Sequence, residues 1–336
     1  MKPMTFSVCF ITRREMVSPS IERVFRSVAE NLEAKGVETM FASVPFGDGI
    51  VGTFLNLIFC RPPKADLLHI TGHVNYLGLV LPRDRTISTI HDLIILDFRS
   101  GLRRWLIEKL LFVWPTRRLK FLTAISEATK TRLVYLAGVG SERVRVIQNP
   151  LLVSPSEKKK AFNVSKTRIL QIGTAHYKNV DRIVSAISGL SCELQILGKV
   201  SDELRKHIKE QNVSLLNDEN LDDKGVEEAY ENADILTLCS TDEGFGLPII
   251  EAQAKHTVVI TSDRQPMKDV AGGGALLVNP DDVSSIRAGL MKVISDPDLR
   301  EDLVEKGLRN LERFDPAKIA GDYFALYETV LTETRD

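Results

Sequence analysis

The chain has 336 residues, and its 44 Lys and Arg against 45 Asp and Glu leave a net charge of −1, which argues against a general nucleic-acid binder. With 43% hydrophobic and 26% charged residues it has the composition of an ordinary globular protein, too long for one small core and of a size for two domains. No 18-residue apolar stretch is present, and Met1 and Lys2 lead straight into a strand-like segment, so neither a membrane span nor a signal peptide is expected and the cytoplasm is the expected compartment.

From the start, short apolar runs alternate with amphipathic segments: FSVCFI (6–11), the helix-like run from Ile21 to Leu32, VETMFASV (37–44), DLLHI (66–70), TISTIH (86–91) and KFLTAIS (120–126). Such βαβ alternation predicts a parallel, doubly wound, Rossmann-like sheet. The loop after the first strand, TRREMVSPS, has no glycine, and no G-x-G-x-x-G follows any strand, which weighs against a dinucleotide dehydrogenase. Arg13 and Arg14 in that loop read either as cations facing an anionic acceptor or as a solvated loop.

Two later loops carry histidines. In ITGHVNY, His73 beside Gly72 is a candidate for lining a ligand cleft, whereas His69, inside the strand, reads as core. TISTIHDLIIL ends a strand on His91-Asp92, at the carboxyl edge where ligand-facing side chains belong; a structural hydrogen bonder is the alternative. GLRRWLIEKLLFVWPTRRLK (101–120) mixes basic residues with Trp105, Phe112 and Trp114. It reads as a helix at a membrane interface or as a helix packed on the sheet with a solvated basic face. Ser126 is placed to cap a helix that Gly138 ends, before RVRVIQNP gives a strand running to Asn149-Pro150.

LLVSPSEKKKAFNVSK (151–166) has no sustained periodicity and reads as an interdomain linker. The second domain opens with TRILQIG, a strand ending at Gly173, and the loop TAHYKN, where Lys178 can bring its point charge to a phosphate. ELQILG (193–198) repeats this arrangement and brings Gly198 and Lys199 toward a nucleotide base.

The most informative stretch is Asp234 to Ile260. The run from Ile235 to Cys239 has the make-up of a buried parallel strand, and the segment after Pro248 reads as a helix with Leu247, Ile250 and Ala254 inward. Gly244 and Gly246 allow close backbone approach, and Pro248 suits the first helical position. The following N–H groups then suit a phosphate or pyrophosphate. Glu243 precedes the helix and Glu251 is placed in its first turn, where both carboxylates can accept hydroxyl hydrogen bonds. A diphosphate bearing a sugar at each end uses all these features, and that is a nucleotide-sugar.

Glu243 and Glu251, eight residues apart with the two glycines and Pro248 between them, match the E-x7-E motif of the family 4 glycosyltransferases, retaining enzymes of the GT-B fold. The resemblance covers most of the chain. It implies an α/β, GT-B architecture of two Rossmann-like doubly wound domains facing a cleft: 1–150 for the acceptor, the linker 151–166, 167–315 for the nucleotide-sugar, and 316–336 as a helix crossing back to the first domain. It implies that Glu243 contacts the donor sugar, Glu251 the ribose, and the amides of Phe245, Gly246 and Leu247 the sugar and phosphate. His91 resembles the family's histidine at the reaction centre, with Asp92 as its support. The TAHYKN loop departs from the pattern by lacking an Arg beside Lys178.

The expected activity is transfer of a sugar from a nucleoside diphosphate to an acceptor hydroxyl, as in cell-surface polysaccharide or lipopolysaccharide assembly. The resemblance implies no active-site metal and no cofactor, with a glycan or lipid-linked acceptor as partner. A non-catalytic nucleotide-sugar-binding protein and a GT-B-fold sugar-nucleotide epimerase are the alternatives. Asp296-Pro-Asp298 matches a metal-binding D-x-D in form only, because Asp296-Pro297 reads as a helix start.

Overall fold

In the computed structural model, residues 6–14, 19–47, 49–157 and 159–335 are described; residues 15–18 of the first loop, Lys158 of the linker reading and the Met1-Lys2 start lie outside them. The chain divides into two units, Met1–Leu152 with Phe314–Asp336, and Val153–Arg313.

The first unit holds a six-stranded parallel sheet built from β1 (Ser7–Thr12), β2 (Glu38–Ser43), β3 (Leu67–Ile70), β4 (Thr86–Ile90), β5 (Phe121–Ala124) and β6 (Val144–Val146), in the order β2-β1-β3-β4-β5-β6. All six apolar runs singled out in this half are strands. Because successive side chains point to opposite faces, Cys9, Ile11, Leu68 and Ile70 join one core cluster with Leu77 and Tyr76. Phe10 and His69 face the other way, against Phe25 and the C-terminal helix Pro316–Arg335. That helix is fixed by Tyr323 and Tyr327: the Tyr327 hydroxyl lies 2.6 Å from His69 Nδ1, and His69 Nε2 lies 2.7 Å from Thr89 Oγ1. His69 is therefore core, as its place inside a strand predicts.

The second unit repeats the plan with β7 (Thr167–Ile172), β8 (Cys192–Leu197), β9 (Ser214–Asp218), β10 (Ile235–Leu238), β11 (Val258–Ser262) and β12 (Leu276–Val278). All pairs are parallel and the order is β12-β11-β10-β7-β8-β9. Counted within the unit this is the 3-2-1-4-5-6 Rossmann order, whose direction reverses between β7 and β10; ligands bind outside the carboxyl ends of the strands at such a point. Val153 to Lys166 pack with this unit rather than hanging free: the buried Lys160 ammonium donates to the carbonyls of Tyr230 and Ala233 and to Thr257 Oγ1. Together these two Rossmann-like domains are a GT-B fold.

Two elements have no counterpart in the sequence reading. The helix Ile50–Phe59 (IVGTFLNLIF) is apolar almost throughout yet turns Ile50, Val51, Phe54, Ile58 and Phe59 to solvent. It is pinned by the buried Asn56, whose amide bridges Phe46 and the Tyr76 hydroxyl. The second is β9, whose SLLND is too short and polar to stand out. Residues 101–118 are helical, but as an α-helix, a π-turn over Glu108–Val113 and a further α-turn. Its basic residues divide in use. Arg117 donates to the Ala137 carbonyl, Arg118 to those of Gly78 and Leu81, and Lys109 pairs with Glu108, so only Arg103 and Arg104 of this stretch form an exposed basic face.

Candidate active site

At the carboxyl edge of the second sheet, the loops after β7 and β10 meet. Gly173 closes β7 with φ of +79°, and Gly198 closes β8 with φ of +130°. An L side chain rarely adopts either conformation. A Cβ on Gly198 would lie 3.6 Å from Gly173 Cα, and one on Gly173 would lie 3.4 Å from Lys178 Cε. The two glycines thus leave a floor over which the Lys178 stem lies.

Lys178 ends in a site of convergent charge. Its Nζ is 2.6 Å from Glu243 Oε1, and Ser240 Oγ donates to the same oxygen at 2.7 Å. The two charged side chains are only 14% and 10% exposed. Glu243 Oε2 has no partner among the described residues. Ser240 is fully buried, and its carbonyl accepts from Ser262 Oγ at 2.6 Å, so β11 fixes the residue that holds the carboxylate. Asn179, in the left-handed region, donates through Nδ2 to the carbonyls of Cys239 and Pro280 and joins three strand-end loops. Sequence reasoning singled out Gly173, Lys178, Gly198 and Glu243, but not Ser240 or Asn179. The sign available for Asn179 was an Asn directly before a helix, since Asn tolerates positive φ better than most residues.

The helix after the loop starts one residue earlier than expected. Leu247 is its first residue and Pro248 its second, after Gly246 at φ of +103°. Glu251 accordingly lies past the first turn, and this corrects the sequence reading. It is 7% exposed, and its Oε2 accepts from the Tyr230 hydroxyl at 2.6 Å. Phe245 turns its ring into the core and Gly244 is half-buried, leaving backbone at the surface. Beside this loop a cavity of about 240 Å³ is lined by Thr174, His176, Asp181, Ser201 and Glu203. Thr174, in the loop that lacks the family's Arg, donates to the Lys199 carbonyl at 2.6 Å.

In the first unit, the sheet order reverses between β1 and β3, and the loops there carry Arg13 and His73. Gly72 is in van der Waals reach of the Arg13 backbone, since a Cβ on it would sit 3.4 Å from Arg13 N. His73 Nε2 is 3.8 Å from Asp92 Oδ2, while Asp92 Oδ1 accepts from Ile94 N–H at 3.0 Å. His91 is 6% exposed and its Nε2 lies 2.7 Å from the Thr71 carbonyl. The carbonyl can only accept, so Nε2 carries the proton and Nδ1 presents a lone pair. Burial, with the His73 charge second, pulls the His91 pKa down to about 4; burial raises that of Asp92. Structure thus brings Arg13, His73, His91 and Asp92 together, with His91 a neutral acceptor at neutral pH. Arg14 is exposed at the end of the loop.

No group of three or more His, Cys, Asp or Glu side chains among the described residues is placed to hold a metal ion. Asp296 caps the helix Pro297–Asn310, its Oδ1 accepting from Leu299 N–H at 2.9 Å. Cys9, Cys60, Cys192 and Cys239 are free thiols.

Residues 154–309 match the family model of the glycosyl transferases group 1. The chain is 28% identical over 231 residues to the O-antigen chain mannosyltransferase RfbU of Salmonella typhimurium, covering 65% of this chain and 63% of that protein, so less than two thirds of the relative's own length is matched. Among solved structures it is similar to sucrose-phosphate synthase from Thermosynechococcus elongatus, with a TM-score of 0.77 at 17% identity over 97% of this chain and 99% of that one. The Anabaena protein Alr3699/HepE in complex with UDP gives a TM-score of 0.71 at 14% identity over 96% and 100%.

Proposed function

Because this chain carries a group 1 glycosyltransferase domain on a GT-B fold, we propose that it is a retaining glycosyltransferase that moves a hexose from a nucleoside-diphosphate sugar to an acceptor hydroxyl in polysaccharide or lipopolysaccharide assembly. The observation that carries the reading is the Lys178–Glu243 pair at the carboxyl edge of the second sheet, where β7 and β10 part. Lys178 supplies the charge that stabilises a departing diphosphate, the backbone from Gly244 to Leu247 allows close approach, Glu243 takes the sugar hydroxyls and Glu251 the ribose. In the first unit the neutral His91, supported by Asp92, accepts a hydrogen bond from a sugar hydroxyl. His73 and Arg13 line the acceptor side with Arg14.

We propose that this chemistry proceeds without a metal ion or cofactor, the charge of Lys178 and the helix amides serving the diphosphate. The acceptor is a glycan or a lipid-linked glycan, and the protein works at the inner face of the membrane as a peripheral protein. No helix is long and apolar enough to cross a membrane. A surface contact is supported instead by Phe54 and its neighbours on the helix Ile50–Phe59 and by Leu102, Trp105 and Trp114, all exposed. Leu57 and Leu111, from these two segments, pack on the same core cluster.

A thermal-shift panel of UDP, GDP, ADP, CMP and dTDP sugars, with GDP-mannose prominent because RfbU is named a mannosyltransferase, tests the donor site. A donor at ~100 times its dissociation constant adds about 2.7 kcal/mol to stability. Stabilisation by one nucleotide class, weakened in folded Lys178→Ala and Glu251→Ala, supports the reading; no shift with any nucleotide sinks it. Turnover with the matching acceptor in EDTA, and the anomeric configuration of the product, test the metal-independent and retaining steps.

A further inference from the structure

We propose that Glu243 makes the donor site reject the spent nucleotide: the carboxylate competes with the diphosphate for Lys178 and gives way only when a sugar hydroxyl is there to satisfy it. This rests on the donor-site reading above. Lys178 Nζ and Ser240 Oγ both converge on Oε1 of Glu243, at 2.6 and 2.7 Å, and the pair is largely shielded from water. Oε2 has no partner among the described residues, so it is the oxygen open to a hydroxyl.

A diphosphate that reaches Lys178 must either take the ammonium from Glu243 or share it. In the first case a poorly hydrated carboxylate loses a charged partner; in the second, two anions sit against one cation. Both cost more here than in open water. A nucleotide-sugar offsets the cost because its sugar hydroxyls donate to Oε2, whereas a bare nucleoside diphosphate has no such group. Once the sugar has left, Glu243 reclaims Lys178 and the nucleotide departs. Ser240, fixed by Ser262, keeps the carboxylate from swinging out of reach.

The test is isothermal titration of the full chain with two matched pairs, UDP against UDP-glucose and GDP against GDP-mannose. For the pair that binds, Glu243→Gln keeps the shape and the Ser240 hydrogen bond but removes the charge. The Kd for the diphosphate is expected to fall about tenfold, as loss of one charged competitor implies, while the nucleotide-sugar binds no tighter. Glu243→Ala is expected to move the ratio of the two Kd values in the same direction. Because the ratio compares two ligands on one preparation, a partly folded variant does not distort it. Equal changes in both Kd values, or weaker diphosphate binding, overturn the proposal while leaving the donor site standing. Failure of every nucleotide to bind wild type overturns the donor-site reading and this inference with it.

Discussion

The Tyr230 hydroxyl, fully buried, donates to Glu251 Oε2 at 2.6 Å across the interface between the helix Asp223–Asn232 and the helix Leu247–Ala254. A carboxylate so held is pre-oriented, and its remaining oxygen is aimed by packing rather than by the ligand. Removing the donor leaves a buried charge less well satisfied, at about 1–3 kcal/mol. Tyr230→Phe is therefore expected to lower the unfolding midpoint of the second unit and to weaken donor affinity, both read by denaturant titration and calorimetry on one preparation. Donor affinity unchanged alongside a lowered midpoint would assign Glu251 to the core and remove it from the ribose site.

Gly246 makes a separate prediction, because it joins the loop to the helix at a φ of +103°. A Cβ there would lie 3.1 Å from Ile249 Cδ1 and 3.5 Å from Leu238 Cδ2. Backbone strain of about 1–2 kcal/mol adds to that crowding. Gly246→Ala is expected to fold with reduced stability and to lose more donor affinity than its stability loss explains, since the amides after it shift. Measuring the dissociation constant well below the unfolding temperature separates the two effects.

What the sequence made legible follows from which interactions are local. The strands stood out because buried parallel strands are continuous apolar runs, and Gly173, Gly198 and Gly246 were recognisable because strand-end loops need their conformations. The Lys178–Glu243 pair was not, since 65 residues separate the partners and only the placing of β10 beside β7 brings them together. Nor was the register of Glu251 against its helix start: Pro248 is tolerated at the first or second position alike, and one residue decides whether a side chain points to a ligand or to Tyr230. The helix Ile50–Phe59 escaped notice because its apolar residues run around the whole helix, and periodicity carries no signal there.

Two buried histidines give the first unit an acid limit. Burial lowers the His69 pKa to about 3 and that of His91 to about 4, from the ordinary 6.5. Between those values and 6.5 the unfolded chain binds protons that the folded one does not, so stability is full above pH 6.5 and is lost as the pH falls. At pH 5 the loss is about 2 kcal/mol for each histidine, if both keep these values. Asp92, raised by burial, acts with the opposite sign at the acid end. Urea midpoints from pH 7.5 to 5, for wild type and for His91→Asn, check this: the substitution is expected to flatten the curve by roughly the His91 share. An unchanged slope would show that His91 titrates normally and reaches water freely.

The helix Ile50–Phe59 supplies the last prediction. Phe54 is 63% exposed and Val51 72%, so neither stabilises the unit by burial, and replacing them with polar residues is expected to change stability by about 0.5 kcal/mol or less. An exposed apolar face that costs nothing to remove from the fold has its use outside it. If that use is an interfacial contact, Phe54→Ser should weaken co-sedimentation with anionic phospholipid vesicles about five- to tenfold, in keeping with the apolar area of one aromatic ring. Arg103→Gln with Arg104→Gln should reduce the same binding in a salt-dependent way, because electrostatic attraction is screened and apolar insertion is not. Equal vesicle binding by wild type and Phe54→Ser would turn the exposed face toward a protein or glycan partner instead.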